Sequence, residues 1–257
     1  MILNYEIHES PNTSQLPLVF IHGLFGSLSN LGMLARDFSE THQVIQLDVR
    51  NHGRSEHSSD MNYSVMAQDV LETMEYLNIQ KFNLVGHSMG GKIAMHVASL
   101  MPESVNQLAI LDIAPYAYQQ NHHDQIFKAL FAVEDANIES RAEAIKIMKQ
   151  FIHEDMVIQF LLKSFSKGQW LFNIHALYDH YDEILGWKNQ QVFQKPVLFL
   201  RGGKSPYISK SMHVEAIHTQ FPHAKILEIQ EAGHWLHAEK TREVLDILKQ
   251  YFEAENK

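Results

Sequence analysis

The stretch Asn83-Leu84-Val85-Gly86-His87-Ser88-Met89-Gly90-Gly91 decides the fold of this 257-residue chain. A short apolar segment runs into a turn with a serine at its apex, and a helix-like segment follows at once. Gly86 and Gly90 indicate that the strand and the helix pass so close to the turn that a Cβ at either position would collide. The pattern predicts a sharp elbow that exposes the hydroxyl of Ser88 and places the N–H of Met89 at a helix N-terminus, where it can bind developing negative charge.

The sequence on both sides of the elbow alternates between apolar runs and amphipathic stretches. Runs that are apolar throughout are typical of strands buried on both faces of a parallel sheet. The predicted strands are residues 2–8, 16–21, 44–49, 82–85, 108–111, 196–200 and 224–229. The predicted helices between them are residues 31–38, 65–77, 92–100, 210–220 and 241–252. This alternation predicts an α/β fold with a mostly parallel central sheet and helices on both faces.

One long segment interrupts the alternation. Residues 116–194 contain no proline, are rich in aromatic residues and look almost wholly helical. Their predicted helices are residues 124–133, 140–151, 155–165 and 174–184. We interpret residues 116–194 as an inserted helical cap, or lid, and residues 1–115 with 195–257 as the core domain that carries it.

Composition restricts the kinds of partner. The chain has 30 acidic residues against 21 lysines and arginines, a net charge of −9, and no basic run, so nucleic acid is not an expected partner. It has no cysteine, which excludes disulfides, thiolate metal sites and a cysteine nucleophile. The N-terminus lacks the features of a signal peptide, and no apolar run is long enough to cross a bilayer. We expect a cytoplasmic monomer or homodimer without integral membrane association, acting on a small molecule.

Nearly the whole chain resembles the α/β-hydrolase superfamily. The stretches that carry the resemblance are His22-Gly23-Leu24-Phe25-Gly26, Asp48-Val49-Arg50-Asn51-His52-Gly53-Arg54-Ser55, Gly86-His87-Ser88-Met89-Gly90-Gly91 and Gly233-His234-Trp235. The combination of Leu111-Asp112-Ile113-Ala114-Pro115, Gly202-Gly203-Lys204-Ser205-Pro206-Tyr207 and the segment after Gly233 looks more narrowly like the small bacterial esterases of the YbfF type. That resemblance implies a hydrolase of carboxylic esters and acyl-CoA thioesters, with a helical cap.

Three residues are the candidates for a catalytic triad. Ser88 needs a base to take its proton as it attacks, and His234, in a Gly-His-Trp loop after the last predicted strand, is the candidate base. Many superfamily members carry the acid shortly after the strand at residues 197–200, but that place lacks a carboxylate here. Asp112 is the nearest alternative, because it follows a strand that ends at the same edge of the sheet. The YbfF-type resemblance implies the same acid, and a turn carboxylate is the other interpretation.

Further residues are candidates for supporting roles. Backbone N–H groups of Leu24 and Met89 are expected to form an oxyanion hole. Ser205 stands where the usual acid would be, either as a hydrogen-bond partner of His234 or Asp112 or as an ordinary turn serine. Phe25, Tyr116 and Trp235 are candidates for the substrate pocket, with the core as the alternative place for each.

Other polar residues near these motifs are interpreted as structural. His22 and Asp48 are expected to bond loop backbones, whereas Arg50 either anchors the same loops or contacts an anionic substrate. His213, His218 and His223 recur at intervals that do not share one helical face, so no metal site is predicted.

The predicted reaction is acyl transfer through an acyl-enzyme, and it requires no cofactor. Carbon–carbon bond hydrolysis and cofactor-free perhydrolysis use the same three groups and remain alternatives. A noncatalytic small-molecule receptor on this fold is an alternative of another class.

Overall fold

The computed structural model describes residues 1–11, 14–119 and 123–253, and its central feature is a seven-stranded sheet. In chain order the strands are β1 (Tyr5–His8), β2 (Leu18–Ile21), β3 (Val44–Leu47), β4 (Phe82–His87), β5 (Val105–Leu111), β6 (Phe165–Ser166), β7 (Gln169–Trp170), β8 (Val197–Gly202) and β9 (Ala224–Ile229). The sheet has the order β1-β3-β2-β4-β5-β8-β9, and β6 and β7 form a separate hairpin. Only β1, at an edge, is antiparallel to its neighbour in the large sheet. The α/β fold class is confirmed.

Helices cover both faces of the sheet. They are α1 (Gly32–Phe38), α2 (Tyr63–Tyr76), α3 (Met89–Leu100), α4 (Asp124–Asp135), α5 (Arg141–Met148), α6 (Asp155–Leu162), α7 (Ile174–Asp179), α8 (Tyr181–Leu185), α9 (Ser211–Gln220), α10 (Leu236–Glu239) and α11 (Thr241–Glu253). Apolar residues of α2 and α3 pack on one face, whereas those of α1 and α11 pack on the other. No helix in the described part of the chain is both long and apolar enough to cross a membrane.

The segment between β5 and β8 is mostly but not wholly helical. Helices α4, α5 and α6 lie at three of the predicted places, whereas the predicted helix 174–184 is divided into α7 and α8 at His180. The expectation of an almost wholly helical segment is wrong at β6 and β7. Their turn residues, Lys167 and Gly168, have φ values of 52° and 76°, which glycine adopts readily. Apolar residues of this segment share one cluster with the α2–α3 face of the sheet.

The carboxyl ends of the inner strands meet at one edge of the sheet. Ile21 is in register with Gly86, and His87 is in register with Leu111, which in turn pairs with Leu200. The loops that follow β2, β4, β5 and β8 therefore start side by side, and the segment with α4 to α8 begins at the same edge. This edge is where open parallel sheets place their ligand sites.

Candidate active site

The elbow between β4 and α3 presents Ser88 in a conformation that few residues adopt. Ser88 has φ 55° and ψ −124°, and its N–H donates to the carbonyl of Leu111 at 3.0 Å. A Cβ on Gly86 would lie 2.3 Å from the carbonyl oxygen of Gly90, and one on Gly90 would lie 2.3 Å from that of Ile21. Both approaches are too close for any side chain, which is the reason why the elbow needs its two glycines.

The structure brings Ser88, His234 and Asp112 into one row of hydrogen bonds. Nε2 of His234 lies 2.9 Å from Oγ of Ser88, and its Nδ1 lies 2.7 Å from Oδ2 of Asp112. Because a carboxylate only accepts, Nδ1 carries the proton and Nε2 is left to accept from the serine hydroxyl. The three residues lie far apart in the chain and meet because β4, β5 and β9 all end at the same side of the sheet.

Asp112 is completely buried and is held by the last residue of β8 and by the loop that follows. The N–H of Gly202 donates to its Oδ1 at 2.9 Å, and the hydroxyl of Ser205 donates to its Oδ2. Its own N–H donates to the carbonyl of Leu200 at 2.8 Å. Both oxygens of this buried carboxylate therefore have hydrogen-bond donors. The segment that lacks the usual acid thus supplies hydrogen-bond donors to the acid at residue 112.

Two backbone N–H groups are available beside Ser88. That of Met89 is the first of α3, where a helix has no internal acceptor for it. The N–H of Leu24 donates to no acceptor among the described residues. Both residues line the same small cavity as Ser88. Both N–H groups are free to bind an oxyanion, and that role of Leu24 and Met89 stays a prediction.

Two buried histidines fix the loop that contains Leu24. His22 accepts at Nε2 from the N–H of Val49 at 3.1 Å, so its Nδ1–H donates to the carbonyl of Gly23 at 2.8 Å. His52 accepts at Nε2 from the N–H of Phe25 at 3.2 Å. Burial lowers the pKa of His22, and it lowers the pKa of His52 to about 3. Both rings therefore stay neutral and act as fixed supports.

Asp48 and Arg50 support neighbouring loops. Asp48 accepts from the N–H of Leu28 at 2.7 Å and from the N–H of Arg54 at 2.9 Å. Arg50 forms a buried double hydrogen bond with Asp69 at 2.6 and 2.8 Å. Of the two interpretations of Arg50, the structure favours the anchor of these loops over a contact with an anionic substrate. Within the described residues no three His, Cys, Asp or Glu side chains form a cluster that could hold a metal.

His87 lies between His234 and His237, and no role for His87 was identified from the sequence. His87 donates from Nε2 to the carbonyl of His234 at 2.9 Å, so it positions the loop of the candidate base. Its ring centroid lies 4.8 Å from that of His234 and 4.4 Å from that of His237. Burial, and after it the rings of His237 and His234, lower the pKa of His87 well below its ordinary value. The sequence signal for His87 was its position directly before Ser88 in the G-x-S-x-G pattern.

Two small cavities meet at Ser88. The His234-side cavity, of about 40 Å³, is lined by His234, Trp235, Phe25 and Phe160 among others. The Met89-side cavity, of about 30 Å³, is lined by Leu24, Tyr63, Ser88, Met89, Lys92, Ile113, Tyr118, His123, Tyr181, Ile184, Leu185 and Tyr207.

Of the three predicted pocket residues, Phe25 and Trp235 reach a cavity beside Ser88 and Tyr116 does not. Tyr116 lies in an outer crevice, where its hydroxyl donates to Sδ of Met212 at 3.1 Å.

Fold and site together define an α/β hydrolase with a serine at the nucleophile elbow. The chain belongs to the α/β-hydrolase family, whose alpha/beta hydrolase fold profile matches residues 17–241. Esterase YbfF of Escherichia coli strain K12 is 44% identical over 252 residues, which cover 98% of this chain and 99% of that protein. The resemblance to YbfF-type esterases is confirmed.

Two other similar proteins extend this relationship. The sn-1-specific diacylglycerol lipase ABHD11 of Mus musculus is 36% identical over 262 residues, which cover 97% of this chain and 84% of that protein. A solved marine microorganism esterase matches with a TM-score of 0.90 and 32% identity, over 96% of this chain and 98% of that one.

Proposed function

We propose that this chain cleaves carboxylic esters, and acyl-CoA thioesters as well, through an acyl-enzyme on Ser88. The observation that carries the proposal is the unbroken row of hydrogen bonds from Ser88 through His234 to Asp112. The chain is a carboxylic-ester hydrolase, in agreement with relatives named esterase and lipase that match it over 97–98% of its length. The thioester substrates and the acyl-enzyme are the finer parts of the proposal.

The first half of the reaction forms the acyl-enzyme. Oγ of Ser88 attacks the carbonyl carbon of the ester while Nε2 of His234 takes its proton. The carbonyl oxygen becomes an oxyanion and accepts from the N–H groups of Leu24 and Met89, each worth roughly 2.7–4 kcal/mol of transition-state stabilisation. Asp112 stabilises the imidazolium and holds its tautomer.

The second half releases the acid. The imidazolium of His234 gives its proton to the leaving oxygen or sulfur, and the alcohol or thiol departs. Water then attacks the acyl carbon while His234 takes one of its protons. That proton returns to Oγ of Ser88 as the carboxylic acid leaves, so the enzyme ends in its starting state.

Residues 116–194 act in this proposal as the cap over the site. Phe160 on α6 lines the His234-side cavity, and Ile184 on α8 lines the other. The hydroxyl of Ser164 donates to the carbonyl of Phe25 at 3.1 Å, which ties this segment to the loop that contains Leu24. A segment that lines both cavities is in a position to decide which acyl and leaving groups fit.

The test is turnover by the purified chain on nitrophenyl esters, acyl-CoAs and a vinylogous diketone, with fluorophosphonate labelling. We expect ester and thioester turnover and a covalent adduct that peptide mass spectrometry assigns to Ser88. Turnover of the diketone alone would favour a carbon–carbon bond hydrolase. An unlabelled serine with no turnover on any of these substrates would favour a noncatalytic receptor.

A further inference from the structure

A lysine is buried in α3, the helix that follows Ser88. Lys92 follows Ser88 by about one turn of α3, in a helix that is otherwise mainly apolar, and its side chain is 1% exposed. Its Nζ donates to the carbonyl oxygens of Leu185 and Gly186, both at 2.8 Å, and lies 3.4 Å from that of Ile184. Its three donors are therefore used by carbonyls at the end of α8, which leaves none for a substrate.

The end of α8 is a favourable place for this ammonium. The last carbonyls of a helix have no internal donor, and the helix dipole makes that end negative. The rings of Tyr63 and Tyr118, with centroids 5.5 and 5.0 Å from Nζ, add cation–π attraction. Burial lowers the pKa of Lys92 to about 7. The hydroxyl of Tyr63 also donates to the carbonyl of Ile184 at 2.6 Å.

The position of His234 assigns the two cavities to the two halves of an ester. The leaving atom must come within reach of Nε2 of His234, because it takes its proton from there. The leaving group therefore belongs in the His234-side cavity, and the acyl chain extends away from it into the Met89-side cavity. Lys92, Ile184 and Leu185 line the latter. The Met89-side cavity has a volume of about 30 Å³, so the position of its walls limits the length of acyl chain that it accepts.

We infer that Lys92 is a specificity-determining residue: by holding Ile184 and Leu185 against α3, it closes the acyl cavity and restricts the enzyme to short acyl chains. This inference rests on the proposed ester hydrolysis at Ser88. Lys92 acts through the wall that it fixes and touches neither the reacting carbonyl nor the proton in transit.

The test compares nitrophenyl acetate, butyrate, octanoate and laurate for the wild type and Lys92→Met, which keeps most of the apolar stem and removes the ammonium. We expect kcat/KM of the wild type to fall from butyrate to octanoate. In Lys92→Met the octanoate-to-butyrate ratio of kcat/KM should rise by roughly tenfold, equivalent to about 1.4 kcal/mol. An unchanged ratio in an active variant would overturn the inference.

A second lysine provides the matched control. Nζ of Lys195 donates to the carbonyls of Pro102 and Val105 at 2.7 and 2.8 Å, at the opposite edge of the sheet. Lys195→Met breaks similar bonds and should leave the octanoate-to-butyrate ratio at the wild-type value. An equal rise in both variants would assign the effect to general loosening and overturn the inference.

Tyr63→Phe keeps the test decisive if Lys92→Met does not fold. It removes only the hydrogen bond to Ile184 and should raise the same ratio by a smaller factor. No change in Tyr63→Phe together with a misfolded Lys92→Met would count against the inference. A wild type that hydrolyses no ester of the series would refute the proposed function itself, whereas an active wild type without preference for short chains refutes only the role of Lys92.

Discussion

Two regions enclose Ser88, and strand register contributes to only one of them. The loops at the carboxyl edge of the sheet are linked backbone to backbone, as in the bonds from Ser88 to Leu111 and from Asp112 to Leu200. The inserted segment, residues 116–194, is our proposed cap. Backbone bonds join it to the core from Asn173 to Asn51 and from Phe193 to Gln220, and beside the site buried side chains reach carbonyls far away in the chain. Lys92 bonds a residue 93 positions later, and Ser164 bonds one 139 positions earlier.

This difference separates the chemistry from the selectivity. The sheet edge inherits its geometry from strand register, so a single side chain can be removed there without moving the others. The inserted segment packs on the core through apolar residues and also carries a few long-range side-chain hydrogen bonds, each of which one substitution can abolish. We therefore expect substitutions at the sheet edge to change rate by orders of magnitude, and substitutions at the contacts of the inserted segment to change selectivity or stability.

Ser88→Ala is the strongest challenge to this division. Loss of the nucleophile should lower kcat by about 10⁶-fold while the melting temperature stays close to that of the wild type. Ser99→Ala is the control, because its buried hydroxyl lies on the same helix and has no hydrogen-bond partner among the described residues. Substantial esterase activity in Ser88→Ala, measured on nitrophenyl butyrate, would place the chemistry elsewhere.

Asp112→Asn should have the next largest effect. The amide can present its N–H₂ to Nδ1 of His234, which favours the wrong imidazole tautomer, so kcat should fall by about 10⁴-fold. Steady-state rates together with the melting temperature separate this effect from unfolding. Near-normal activity would remove Asp112 from the proposed triad.

Ser205→Ala should be mild. The variant loses one donor to Asp112, but the N–H of Gly202 and Nδ1 of His234 still bond that carboxylate. A hydrogen bond to a charged group contributes about 1.5–3 kcal/mol. Because this bond is present before the reaction as well as in the transition state, only part of that energy affects the rate, and we expect a loss of kcat within about tenfold. A loss as large as that of Asp112→Asn would make Ser205 an essential part of the site.

The difference between the sheet edge and the inserted segment also explains which parts of the site could be predicted from the sequence. The elbow at Ser88 depends on two neighbouring glycines, and Asp112 depends on the rule that parallel strands end at one edge. Both signals are local or topological, so they can be read from the sequence alone. Asp112 could be proposed as the acid because the position usual in the superfamily holds no carboxylate.

Contacts that depend on the path of the inserted segment were not predictable. Nothing around Lys92 indicates which distant carbonyls it reaches, although a lysine within an apolar helix was a visible anomaly. The hairpin of β6 and β7 has strands of two residues, too short to show periodicity, and only Lys167-Gly168 signals its turn. Tyr116 was a pocket candidate by its place in the chain, but the chain turns away and leaves it in an outer crevice.

Ser164→Ala should have the smallest effect on kcat. It is the most direct test of whether the inserted segment affects stability without affecting the rate. The hydroxyl of Ser164 donates to the carbonyl of Phe25, the residue that follows Leu24 in the same loop. Removing one neutral hydrogen bond should lower the free energy of unfolding by about 0.5–1.5 kcal/mol, which corresponds to a few degrees in melting temperature. His52 still holds the N–H of Phe25, so the oxyanion donor stays in place and kcat on nitrophenyl butyrate should change less than about threefold. A hundredfold loss of kcat at an unchanged melting temperature would mean that the inserted segment positions the oxyanion hole. The same contacts would then determine both the rate and the selectivity.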